Sequence, residues 1–255
     1  LIIMLKKRII PIILLKNNNS IYKGKNFDSW RIVGNLINFI KIYNHREVDE
    51  LIIVDVNATK NNNLIDLKIV NHVASNFNMP LTVGGGINSL EDAHKLFKNG
   101  ADRICINSSA YNNIDLIQKI NDTFGKQSLV VSIDYKKING EYYCFSNSCT
   151  KNENILVIDW IKKLENVGCG EILLTSYEHE GEMDGMDEDF LNIYSDEINI
   201  SIIFGGGVGN PKHAYEALKF KNVKAVTMGS IFAFTQYTPN DIKKYCKDKN
   251  IPIRL

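Results

Sequence analysis

Short, almost uninterrupted apolar runs alternate along the chain with longer helical patterns. Eight runs stand out: RIIPIILL, ELIIVDV, LTVGG, RICIN, LVVSID, EILLTS, SIIFGG and AVTMGS. A strand with one wet face alternates apolar and polar residues, whereas a parallel strand covered on both sides reads as continuously hydrophobic. These runs are of the second kind. Between them lie helix candidates such as Ser89–Lys98 (SLEDAHKLFK), opened by Ser89 as an N-cap with Asp92 three residues on, and closed before Gly100. Eight strands in strict alternation with helices over 255 residues predict a single (β/α)8 TIM barrel spanning 1–255.

An internal repeat strengthens this expectation. Glu50 of DELIIVD recurs as Glu171 of GEILLTS, and the triplet Gly84-Gly85-Gly86 recurs as Gly205-Gly206-Gly207, each 121 positions later. The spacing predicts two similar half-barrels, roughly 7–125 and 126–240, of four strands each. A doubly wound open sheet is the alternative, and both the repeat and the strand count favour closure.

Composition narrows the partners. Thirty basic against twenty-nine acidic residues leave a net charge of +1, which favours neither nucleic acid nor an anionic membrane surface. The five cysteines, Cys105, Cys144, Cys149, Cys169 and Cys246, form no CxxC pair, so reduced cytoplasmic thiols are expected rather than disulfides or a metal site. The opening segment LIIMLKKRIIPIILL is broken by Lys6, Lys7 and Arg8 and reads as a first strand, with Met4 a candidate start. No GxGxxG opens a helix after the first run, and no cofactor is implied.

In such barrels the loops after the strands form the active face, and phosphates settle where backbone N–H groups converge. Gly84, Gly85 and Gly86 follow the third run, and Gly205, Gly206 and Gly207 the seventh; Asn107-Ser108 and Gly229-Ser230 end the fourth and eighth. Each half thus offers one cradle, which fits a substrate carrying a phosphate at each end. Tight turns that require glycine are the simpler explanation for either triplet alone. The acid–base candidate is Asp134, closing LVVSID at the mouth. At the matching place 120 positions earlier stands Leu14, so these two positions cannot supply a pair of carboxylates. Arg8, Glu50, Arg103 and Glu171 each begin a strand and should ring the bottom of the barrel, either for stability or as a gate.

The segments KRIIPIILL, DELIIVDVNA, PLTVGGGI, GADRICINSSA, VVSID, GEILLTS and FGGGVG resemble successive strands of the cyclase subunit of imidazole glycerol phosphate synthase, from about Lys7 to Phe234. The resemblance implies a heterodimer in which a glutaminase docks under the barrel and passes ammonia through it to a bisphosphorylated ribulosyl intermediate at the top. It assigns Arg8, Glu50, Arg103 and Glu171 to the ammonia gate, with arginine in place of a lysine at position 103. It also puts Asp102 near the partner interface and adds Thr175 and Gly181 to the phosphate-binding set.

Three departures stand out. Leu14 occupies the position of the family's other catalytic aspartate, Glu180-Gly181 replaces an Asp-Gly pair, and Asn17-Asn18 replaces another. Cyclase-like proteins of surface-polysaccharide clusters resemble the chain in lacking the first aspartate. That likeness implies addition of ammonia to an N-acetyl or nucleotide sugar, giving an acetamidino group. The expected role is therefore this amidination; the alternatives are cyclase activity in histidine synthesis and a non-catalytic scaffold that activates a glutaminase.

Overall fold

The computed structural model describes residues 6–16, 19–46 and 48–254. Asn17, Asn18 and Met4 lie outside the described residues. In chain order the strands are β1 (Arg8–Leu15), β2 (Ser20–Lys25), β3 (Asp28–Asn35), β4 (Leu51–Asp55), β5 (Leu81–Gly84), β6 (Arg103–Ile106), β7 (Leu129–Ile138), β8 (Glu141–Ser146), β9 (Lys151–Leu156), β10 (Glu171–Ser176), β11 (Ile202–Gly205) and β12 (Val223–Met228). The eight strands β1, β4, β5, β6, β7, β10, β11 and β12 pair in parallel in that order, and β12 returns to β1. The sheet is a closed (β/α)8 barrel, as the hydrophobic runs predict.

The helices are α1 (Leu36–His45), α2 (Leu67–Ala74), α3 (Leu90–Lys98), α4 (Ser108–Asn112), α5 (Asp115–Phe124), α6 (Val157–Val167), α7 (Glu188–Tyr194), α8 (Pro211–Leu218), α9 (Ser230–Phe234) and α10 (Pro239–Asp248). Helix α3 begins where its cap signal predicts, since the Ser89 side chain accepts from the Asp92 N–H. Among the described residues no helix is long and apolar enough to cross a membrane.

The strand count needs one correction. Beyond the eight barrel strands, β2–β3 and β8–β9 form antiparallel hairpins after the first and fifth of them. Their residues are mixed in polarity because these strands lie over the mouth rather than inside the barrel wall. The second hairpin, β8–β9, is entered through a turn with a local signal: Asn139 and Gly140 join β7 to β8 with φ of 52° and 89°, as a two-residue Asn-Gly turn requires. The first turns at Asn26 and Phe27, φ 50° and 57°, and a phenylalanine there gives no such sign.

Alternation along each strand sorts the core into two parts. Ile9, Ile13 and Leu15 of β1 face the helices in the large outer core. Ile10, Ile52, Cys105, Val130, Leu173, Ile203 and Ala225 form a separate cluster inside the barrel, with Ile12 and Val54 packed on it. This inner layer divides a charged ring below from a cleft above.

Candidate functional site

The C-terminal ends of the barrel strands enclose a cleft of about 1130 Å³, measured out to open solvent. Asn107, Ser108, Asp134, Thr175, Gly181, Gly229 and Ser230 all line it, together with Gly85, Gly86, Gly206 and Gly207. Gly84 is the exception. It lies within β5, where a side chain would press on the Cys105 carbonyl 3.0 Å away, so its role is close strand packing. The two glycine loops leave β5 and β11, which are four strands apart around the barrel, and therefore face each other across the cleft.

The tight-turn explanation holds for both glycine triplets. At Gly86 φ is +71°, and a Cβ would lie 1.8 Å from the Asn63 carbonyl; at Gly207 φ is +91°, and a Cβ would lie 1.7 Å from the Gly185 carbonyl. Loop backbone thus fills the space behind each turn, whether or not an anion sits in front of it. Gly86→Ala should cost about 1–3 kcal/mol through the strained conformation alone. Urea unfolding of the purified variant checks this, and an unchanged midpoint would contradict it.

Two hairpin turns reach over the mouth in matching fashion. From the first, the Asn26 N–H donates to the Glu180 carbonyl (2.8 Å), and Lys25 pairs with Glu182 at 2.6 Å. The Phe27 ring lines the cleft and lies parallel to Tyr177, with centroids 6.2 Å apart. From the second, Ser148 donates to the Val56 carbonyl (2.8 Å), and Ser108 donates to Asn147 Oδ1 at 3.0 Å. The Ser108 hydroxyl is therefore already engaged by this hairpin. Asn147, Ser148 and Cys149 all have positive φ, so the backbone strain of this hairpin sits at the mouth.

The polar groups of the cleft gather on one side. Asn107 Nδ2 donates to Asp134 Oδ2 at 3.0 Å. Burial, reinforced by the charge of Glu180 and opposed by the Asn107 hydrogen bond, raises the Asp134 carboxyl to about 7. That is the range in which a carboxyl both gives and takes protons near neutrality. Thr227 Oγ1 and Asn107 Oδ1 are buried without a protein partner among the described residues, which leaves bonding capacity for a substrate or water. On the other side Ile12, Leu14, Val54 and Met228 give the cleft an apolar wall. Cys105, at the floor, is pushed up to about 12 by burial and by Asp134, and stays a thiol.

Lys23 and Glu180 are brought to the site by tertiary structure. Lys23 sits on β2, a strand whose pattern suggests an exposed lysine, yet it is 3% exposed and its ammonium donates to the Ile12 carbonyl at 2.9 Å. A Cβ added at Gly229 would lie 1.8 Å from Lys23 Nζ, so this amine rests against the turn into α9. Burial lowers its pKa to about 8, against the pull of Glu180.

At the opposite end the four residues that begin strands meet. Arg8 Nη1 contacts Glu50 Oε2 at 2.7 Å, Arg103 Nη1 contacts Glu50 Oε1 at 3.1 Å, and Arg103 Nη2 contacts Glu171 Oε2 at 2.7 Å; an Arg8–Glu171 pair completes the ring. Thr82 also donates to Glu50 at 2.6 Å. Burial disfavours the Arg8 charge, and the two glutamates outweigh it and raise its pKa. Asp102 is exposed beside this end and accepts the Leu81 N–H at 2.8 Å, which fixes the start of β5.

A closed parallel barrel with a polar cleft at the strand C-termini and a self-paired charged ring at the N-termini defines the TIM-barrel class, with its candidate chemistry at the mouth. The histidine biosynthesis protein family matches residues 8–238, and the chain belongs to that family. It is similar to the putative imidazole glycerol phosphate synthase subunit hisF2 of Campylobacter jejuni, at 40% identity over 99% of this chain and the whole of that protein. It is also similar to the imidazole glycerol phosphate synthase subunits HisF of Chlorobaculum parvum and Chlorobaculum tepidum, at 37% and 36% identity, again over 99% of this chain and the whole of each relative.

Proposed function

We propose that the chain is the barrel subunit of an ammonia-using synthase of the imidazole glycerol phosphate type. A glutaminase partner docks beneath the ring of Arg8, Glu50, Arg103 and Glu171 and delivers ammonia into the barrel. Neutral ammonia passes the apolar inner layer, which a hydrated ammonium ion would enter only at a high desolvation cost. At the mouth it condenses with a bisphosphorylated ribulosyl substrate whose two phosphates occupy the facing glycine loops. Asp134 moves the protons. The observation that carries this reading is the placement of ring and cleft at opposite ends of one barrel, with Asp134 buried in the cleft and its carboxyl raised to about 7. The full-length likeness to HisF subunits supports the ribulosyl substrate over other acceptors.

A second reading has its own observation. Leu14 lines the cleft where a second acid would face Asp134, which favours addition of ammonia to an N-acetyl sugar by a divergent subunit. One assay separates the two. Purified protein receives an ammonium salt and the ribulosyl substrate, and imidazole glycerol phosphate is measured. Turnover supports the first reading, whereas silence here together with amidination of an N-acetylamino nucleotide sugar supports the second. Under the first reading Leu14→Asp should raise turnover by about 10-fold or more, as an added acid–base group does; no gain in rate would mean that position 14 is not limiting.

A further inference from the structure

Three carboxylates line the cleft: Asp55, Asp134 and Glu180. Asp55 Oδ1 is committed to the Asn57 N–H at 2.9 Å. Asp134 accepts from Asn107 and is the proton-exchanging group already described. Glu180 differs from both. Its backbone is pinned on two sides, the N–H donating to the Ser176 carbonyl at 3.1 Å and the carbonyl accepting from Asn26 at 2.8 Å. Among the described residues, however, no hydrogen bond or salt bridge holds its carboxylate. A rigid backbone carrying an acid that no hydrogen bond holds, with the Lys23 charge near it, suits proton transfer in a substrate cleft.

We propose that Glu180 is a second catalytic carboxylate of this mouth, supplying the acid–base group that the apolar end of β1 does not. The proposal rests on the reading that ammonia condenses with a carbonyl here. In that step the nitrogen lone pair forms a C–N bond while the C=O π pair moves to oxygen. Nitrogen then loses two protons as the imine or amidine forms, and the oxygen gains two and departs as water. With two carboxyl groups in the cleft, the ionised one takes the first proton from nitrogen while the protonated one gives a proton to oxygen; for the second proton the roles exchange, and the pair ends as it began. The surroundings suit this division. Burial raises the pKa of Glu180, the charge of Lys23 draws it back down, and the Glu180 charge raises Asp134 in turn. A buried carboxyl whose proton affinity is raised can serve as general acid to a neighbouring carboxylate that serves as general base.

The test compares wild type, Glu180→Gln, Glu180→Asp and the double variant Leu14→Asp/Glu180→Gln. Each is supplied with ammonium salt and, in separate reactions, the ribulosyl substrate and an N-acetylamino nucleotide sugar. On whichever substrate the wild type uses, Glu180→Gln should lose about 100-fold in kcat with KM within about threefold, and its rate–pH profile should lose one limb. Glu180→Asp should keep activity within about tenfold, and the double variant should recover about tenfold or more over Glu180→Gln. Circular dichroism should match wild type throughout, because no internal bond is removed. An active wild type with an equally active Glu180→Gln overturns the proposal and leaves the proposed function standing. Activity on neither substrate overturns both.

Discussion

Asp134→Asn should lose about 10²–10⁴-fold in ammonia-dependent turnover while gaining stability at alkaline pH. The loss follows from removing the one carboxyl that the structure holds at about 7 in the cleft. The gain follows from the same burial. A carboxyl raised from 3.8 to about 7 binds its proton more tightly in the folded chain than in the unfolded one. Between those values folding takes up a proton, so stability is fully present below the lower value, falls as pH rises, and is constant above the upper one. Asparagine cannot ionise, and its carbonyl can still accept from Asn107. The thermal midpoints of wild type and variant should therefore coincide near pH 4 and diverge up to about pH 7, with the variant higher. A gap that does not change with pH would refute the buried titration, and full turnover in the variant would refute the catalytic role.

Glu171→Ala should separate two activities that are equal demands on the cleft. Glu171 holds both arginines of the ring, so its removal breaks two charge-assisted contacts and leaves Glu50 to neutralise Arg8 and Arg103 alone. Breaking such pairs costs about 3 kcal/mol, at the lower end for buried pairs because water reaches Arg8. Turnover driven by glutamine through the reconstituted glutaminase complex should fall by about tenfold or more, a loss of the order expected when delivery through the ring is disordered. Turnover driven by an ammonium salt should remain close to wild type, since the cleft lies beyond the inner apolar layer. Equal loss of both would make the ring a structural clamp rather than a gate.

Much of this arrangement was legible in the sequence because barrel strands carry a local signature. Buried parallel strands are hydrophobic at almost every position, so RIIPIILL and EILLTS coincide with β1 and β10 to the residue. The ring was legible for a related reason: a charge at the first position of an apolar run has little choice but the barrel end. The hairpins were less so. Strand β3 is largely exposed, and its sequence DSWRIVGN has neither the continuous apolar run nor clean alternation. The Asn139-Gly140 turn was a readable sign that the chain doubles back from β7 into β8, the first strand of the other hairpin, and only local turn chemistry exposes it.

The mouth divides along the same line. The sequence by itself determined the closed barrel, the inward parity of Asp134 and Leu14, and the facing pair of glycine loops, since each follows from strand period and order. Only the tertiary structure decided that Lys23 is buried against Gly229, that Glu180 shares the cleft with Asp134, and that Ser108 is engaged by Asn147. Those placements depend on hairpins folding back across the barrel to loops distant in the chain, as Asn26 does to Glu180. Periodicity specifies which face of a strand is buried. It carries no information about which distant loop a polar hairpin will meet, because that is settled by the closure of the barrel itself.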